Sequence, residues 1–174
     1  IAGDKNRILS VRWNPFCSKD DDVFGSLVTM GDKHLQFWLF SQAVPSEDEQ
    51  LDMDEGAGMG AVSLVRHKPV WKDTTKQTCL SVCFVEQTKA DASDESTDRG
   101  YTITGMQDGS VFFWKWLAEE TGVVVIKVLP SLHDGPICTL LTTATGLLLS
   151  GGNDGLVKMW QLASFGEKGA SVLR

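Results

Sequence analysis

His133, Ser150 and Asp154 are the side chains of this 174-residue chain whose types invite nucleophilic chemistry. An imidazole set between a hydroxyl and a carboxylate activates the serine: the ring takes the proton, and the carboxylate holds the ring's tautomer. Such a device also needs a serine presented on a sharp turn and backbone donors for the developing oxyanion. Ser150 stands in Leu147-Leu-Leu-Ser-Gly-Gly-Asn-Asp-Gly155, which has neither a nucleophile elbow nor an oxyanion loop. Asp154 has a second explanation. It lies six residues before Trp160, just as Asp108 and Asp32 lie six before Trp114 and Trp38. Three carboxylates in one register with three indoles make a repeat, and the repeat accounts for Asp154 without catalysis.

The elements that carry these residues are hairpins. Asn153-Asp-Gly155 joins two apolar runs, Leu147–Gly151 and Leu156–Leu162, and its residues tolerate the positive φ of a tight turn. Gln107-Asp-Gly109 does the same between Tyr101–Gly105 and Ser110–Trp116, and Asp32-Lys33 between Leu27–Gly31 and Leu35–Phe40. A further strand precedes each hairpin: Ile8–Trp13, closed by Asn14-Pro15, then Cys79–Val85, then Ile137–Thr143. Ala61–Arg66, Gly122–Leu129 and Ala170–Leu173 supply fourth strands. Helical periodicity is almost absent, so the chain reads as all-β, in about three four-stranded units. The units run over 8–66, 79–129 and 137–174. Two polar insertions interrupt them: the acidic 45–60, with six acids and no base, and 86–100, rich in Asp, Ser and Thr.

Composition narrows the function classes. The net charge of −7 argues against nucleic acid, which calls for clustered Lys and Arg. No apolar run approaches the length of a membrane span, and no signal peptide opens the chain, so no membrane partner is expected. Cys17, Cys79, Cys83 and Cys138 form no CxxC pair and no Cys/His cluster. They read as free thiols in a reducing compartment, with Cys79 and Cys83 on the same face of one strand but too far along it to bridge. No metal or cofactor is expected. Trp13, Trp38, Phe84, Phe112, Trp114 and Trp160 read as core between packed sheets, and Trp71 and Trp116 as less clearly inward.

His133, Ser150, Asp154 and Trp160 resemble the WD-repeat pattern, in which these four types hydrogen-bond together. Thr104, Asp108 and Trp114 supply most of the same set in the second unit, where no histidine precedes Cys79. The first unit keeps Asp32 and Trp38, with Val28 at the hydroxyl position and Thr29 one residue off. The resemblance implies a WD-repeat β-propeller, which usually has about four to eight blades. Three units do not close a ring of that size, so a portion of a larger propeller, or several copies completing one, is expected, and self-association of the isolated chain with it.

Val11-Arg-Trp-Asn-Pro15, Gly31-Asp-Lys-His-Leu-Gln-Phe-Trp38, Cys79-Leu-Ser-Val-Cys-Phe84, Tyr101-Thr-Ile-Thr-Gly105 and His133-Asp-Gly-Pro-Ile-Cys-Thr139 narrow the likeness further. In that order they resemble the echinoderm microtubule-associated protein-like family, in the later blades of its first propeller. That resemblance implies a non-enzymatic scaffold, cytoplasmic and cytoskeletal, with tubulin or microtubules as partners. The alternative is a generic WD-repeat scaffold for another protein complex.

Overall fold

A computed structural model describes residues 6–16, 23–42, 62–86, 99–117, 122–162 and 172–173. The acidic insertion, nearly all of the second insertion, and Cys17 lie outside these. The described residues form three sheets. The first is β1 (Ile8–Asn14), β2 (Val23–Gly31), β3 (His34–Gln42) and β4 (Val62–His67), in that spatial order and antiparallel throughout. The second contains β6 (Cys79–Val85), β7 (Tyr101–Met106), β8 (Val111–Trp116) and β9 (Val123–Leu129). A short strand, β5 (Pro69–Val70), joins its outer edge parallel to β9. The third is β10 (Ile137–Thr142), β11 (Leu147–Gly152), β12 (Val157–Gln161) and β13 (Val172–Leu173). The β5 addition departs from the four-stranded reading of the second unit.

Alternation of side chains along the strands divides the core in two. Val28, Met30, Leu35, Phe37 and Leu39 of the first sheet meet Phe84, Met106, Phe112 and Trp114 of the second. Ile103, Val111 and Phe113, on the second sheet's other side, meet Ile137, Leu140, Leu148 and Trp160 of the third. The middle sheet is therefore apolar on both faces, and its strands are near-continuous apolar runs.

The opening strand of each sheet carries a bulge at the same place: between Ile8 and Ser10, Cys79 and Ser81, and Ile137 and Thr139. The bulge corrects the expected geometry of the cysteines. An extra residue flips the register, so Cys79 packs toward the first sheet and Cys83 toward the third. Burial pushes both thiols up to about 12, which leaves them uncharged and unreactive at neutral pH. Cys79, Cys83 and Cys138 are free.

The aromatic expectations also shift. Trp13 is half exposed and stacks obliquely on Phe40 at 5.5 Å, on the side of the first sheet that faces away from the second. Trp116 is buried, edge-on to Phe37 at 5.8 Å, with the Arg99 guanidinium 5.2 Å from its ring centre. Trp71 packs edge-on to Trp114 at 4.9 Å.

Candidate functional site

His133 lies in the joint between the second and third sheets. Leu132 and His133 donate their N–H groups to Gly109 O at 2.8 and 3.2 Å, which pins the joint to the β7–β8 turn. Gly109 sits at φ +83°, and a Cβ there would come within 2.1 Å of His133 O, so the turn needs glycine twice over. From this joint the imidazole packs closely against the third hairpin. A Cβ on Gly152 would approach the ring to 2.2 Å, so the close approach depends on that missing side chain.

His133 Nδ1 is 2.9 and 3.0 Å from the two Asp154 oxygens, and Nε2 is 2.8 Å from Ser150 Oγ. Trp160 donates its indole N–H to the same Ser150 oxygen at 3.2 Å. Asp134 and Leu156 donate their N–H groups to Asp154 at 3.2 and 3.1 Å. The Asp154 carboxyl is held down at about 2, first by the His133 hydrogen bond; burial opposes this, and the two backbone donors and the ring's charge add to it. An ionised Asp154 only accepts, so Nδ1 carries the proton toward it, and in the neutral ring Nε2 accepts from the Ser150 hydroxyl. The structure thus brings His133, Ser150, Asp154 and Trp160 together. Lys158 adds a donor to Leu132 O at 2.5 Å, tying β12 to the same joint.

This geometry contains the Asp–His–Ser order of a nucleophilic triad, yet it cannot present a nucleophile. Ser150 is 1% exposed and His133 2%. The serine oxygen already accepts from an indole that packs into the core between sheets. The arrangement binds three segments of chain to one another.

In the second unit Trp114 donates to Thr104 Oγ1 at 2.8 Å, and both are fully buried. Asp108 serves its own turn, accepting from the Ser110 N–H and hydroxyl at 2.9 and 2.5 Å. Where the third unit has His133, Gln77 reaches Asp108 from the chain before β6, at 2.8 Å. Burial raises the Asp108 carboxyl, but the Ser110 and Gln77 donors outweigh it and hold it below the ordinary range. The second unit therefore has two separate pairs in place of one connected set: Asp108 is not joined to Thr104 and Trp114 by a described bond.

The first unit corrects the sequence reading. Thr29, not Val28, accepts the Trp38 indole N–H, at 2.9 Å, and it also pairs with His34 Nε2 at 2.8 Å. Val28 is core instead. Thr29 lies nine residues before Trp38, whereas Thr104 and Ser150 lie ten before their tryptophans. The β2–β3 turn is short, with Gly31 opposite His34 and Lys33 at φ +47°, and this moves the hydroxyl by one position. Asp32 is not joined to Thr29 or Trp38. It accepts from Arg7 Nε at 3.0 Å in an exposed pair. Thr29, His34 and Gln77 are the network residues that spacing missed. The signal for the first two was the shortened turn, and for Gln77 its place just ahead of the opening strand.

Sheets stacked in series, each opened by a bulged strand and the last two joined by a buried His–Asp–Ser–Trp cluster, define a stretch of WD-repeat β-propeller. Solved structures of that fold are similar to this chain. The C-terminal WD40 domain of Sif2 is 16% identical with a TM-score of 0.50, over 97% of this chain and 36% of that one. A chain in a humanized mutant of the Chaetomium thermophilum Polycomb Repressive Complex 2, bound to the inhibitor GSK343, is 17% identical with a TM-score of 0.53, over 88% and 28%. This chain thus spans about a third of the length of those two. No protein-family model matches it, and no curated protein matches it by sequence.

Proposed function

We propose that this chain is a non-catalytic scaffold that binds other proteins. The observation that carries the proposal is the use made of its chemistry-bearing residues. The His133–Asp154–Ser150 set is consumed in holding the joint, with the hydroxyl buried against Trp160. Among the described residues, no three His, Cys, Asp or Glu are grouped to hold a metal ion. What is left to recognise a partner is surface.

Tubulin or assembled microtubules are the partner we propose to test first, with a cytoplasmic, cytoskeletal location. The support is the sequence resemblance carried by segments such as Gly31–Trp38 and His133–Thr139. The test is cosedimentation of the chain with microtubules, in parallel with soluble tubulin, at low and physiological salt. Binding to either that saturates with concentration supports the proposal. Absence of binding to both at low salt, where charge interactions are strongest, would sink it and favour a WD-repeat scaffold for another complex.

A further inference from the structure

The two end faces of the three-sheet stack are the two halves of an interface that already occurs twice inside the chain. Positions equivalent by register show this. Val28 pairs with Phe37, Ile103 with Phe113, and Leu149 with Met159, each pair on the side of its sheet that faces up the chain. Leu35 and Val111 lie on that same side, one step along, and both are wholly buried by the next sheet. Their equivalent in the third sheet, Val157, is 75% exposed, and Met159 is 38% exposed beside it. Leu141 of β10, on the same side and beyond β11, is also exposed.

The opposite side behaves in mirror fashion. Val82 of β6 and Leu140 of β10 face the preceding sheet and are each 8% exposed. Val11 holds the equivalent position in β1, opposite Thr29, and is 56% exposed, with half-exposed Trp13 next to it on the same side. Each end thus carries exposed apolar side chains at positions that pack against a neighbouring sheet within the chain.

We propose that the outward face of the third sheet, around Val157 and Met159, receives the outward face of the first sheet of a second copy, around Val11 and Trp13. The contact is head to tail, so each copy uses both faces, and it extends the stack until rotation closes it into a ring. The internal interfaces supply the occupant's identity: the surface that covers Leu35 and Val111 is the hydroxyl-and-tryptophan side of a neighbouring sheet. A first sheet from another copy presents that side.

Light scattering on the eluting chain, combined with two charged variants, tests this. Val157→Lys places a cation on one face and Val11→Lys on the other, at sites exposed in the single copy. The unaltered chain is expected to show a mass that rises with concentration to multiples of one copy. Each variant alone is expected to lose that association. An equimolar mixture is expected to recover a two-copy species and nothing larger, because one intact face of each kind remains. Should lysine disturb the fold by circular dichroism, Val157→Ser and Val11→Ser give the same comparison. A monomeric unaltered chain at high concentration overturns the proposal. So does either variant that still associates alone, since that would mean a face pairing with its own kind.

Discussion

The first and third hairpins reach the same end, a buried hydroxyl accepting from an indole, by different routes. In the third, the histidine arrives from outside the hairpin, on the segment that leaves the second sheet, and it brings Asp154 with it. In the first, His34 belongs to the hairpin itself, at the start of β3, and Asp32 turns outward to Arg7. One network locks two sheets together; the other braces a single turn. The difference teaches that a repeated aspartate-to-tryptophan spacing is not enough to place the aspartate in the network. A donor from the preceding joint must come within reach, and the turn must have the length that aims the carboxylate at it.

The largest effect separating the two should come from the histidines. His133→Ala removes the Nδ1–H donor from Asp154, leaves Ser150 short of a partner and opens a hole at a joint, at a cost of about 3 kcal/mol. Denaturant unfolding measures that total. Hydrogen exchange should show lost protection spreading across β10–β12, whereas His34→Ala should loosen only β2 and β3. Equal, local effects from both would erase the distinction.

A smaller effect tests the corrected hydroxyl. Thr29→Val leaves the Trp38 indole N–H without its acceptor and the buried His34 Nε2 without its hydroxyl; water can reach the partly exposed indole, so a loss of about 1 kcal/mol, coming mainly from the His34 bond, is expected. Ser150→Ala, at a fully buried site, should cost more. If Thr29→Val is silent by thermal melting, the first network is not a network.

Acid sharpens the contrast next. The Asp154 carboxyl is held at about 2, below its ordinary 3.8. A group depressed by folding contributes stability that is complete above its unfolded pKa and lost as the pH falls through its folded one. The melting temperature should therefore decline between about pH 4 and pH 2, and Asp154→Asn should flatten that decline. Asp108, also held low, leaves a remaining slope in the same direction. A variant profile that superimposes on the unaltered one would remove Asp154 from the acid response.

The smallest effect belongs to Asp32. Its partner Arg7 is largely exposed, so Asp32→Ala should change stability by less than about 1 kcal/mol and lose even that in high salt. A cost comparable to that of His133→Ala would mean that Asp32 does more than pair at the surface.

Residue types and spacing were enough for the three hairpins and the strands that open them, though not for β5, because period-two apolar runs bounded by tight-turn residues have few other solutions. The Asp154-to-Trp160 spacing came out of the repeat, and the resemblance to the WD-repeat pattern added His133 and Ser150 to make one group. The tertiary structure decided the rest. A turn one residue shorter moved the first hydroxyl from Val28 to Thr29, and a bulge sent Cys79 and Cys83 to opposite faces, because in a strand a single residue reverses every side chain beyond it. Whether Trp13, Trp116 or Val157 is core depends on a neighbouring sheet covering it, and no pattern along one strand carries that information.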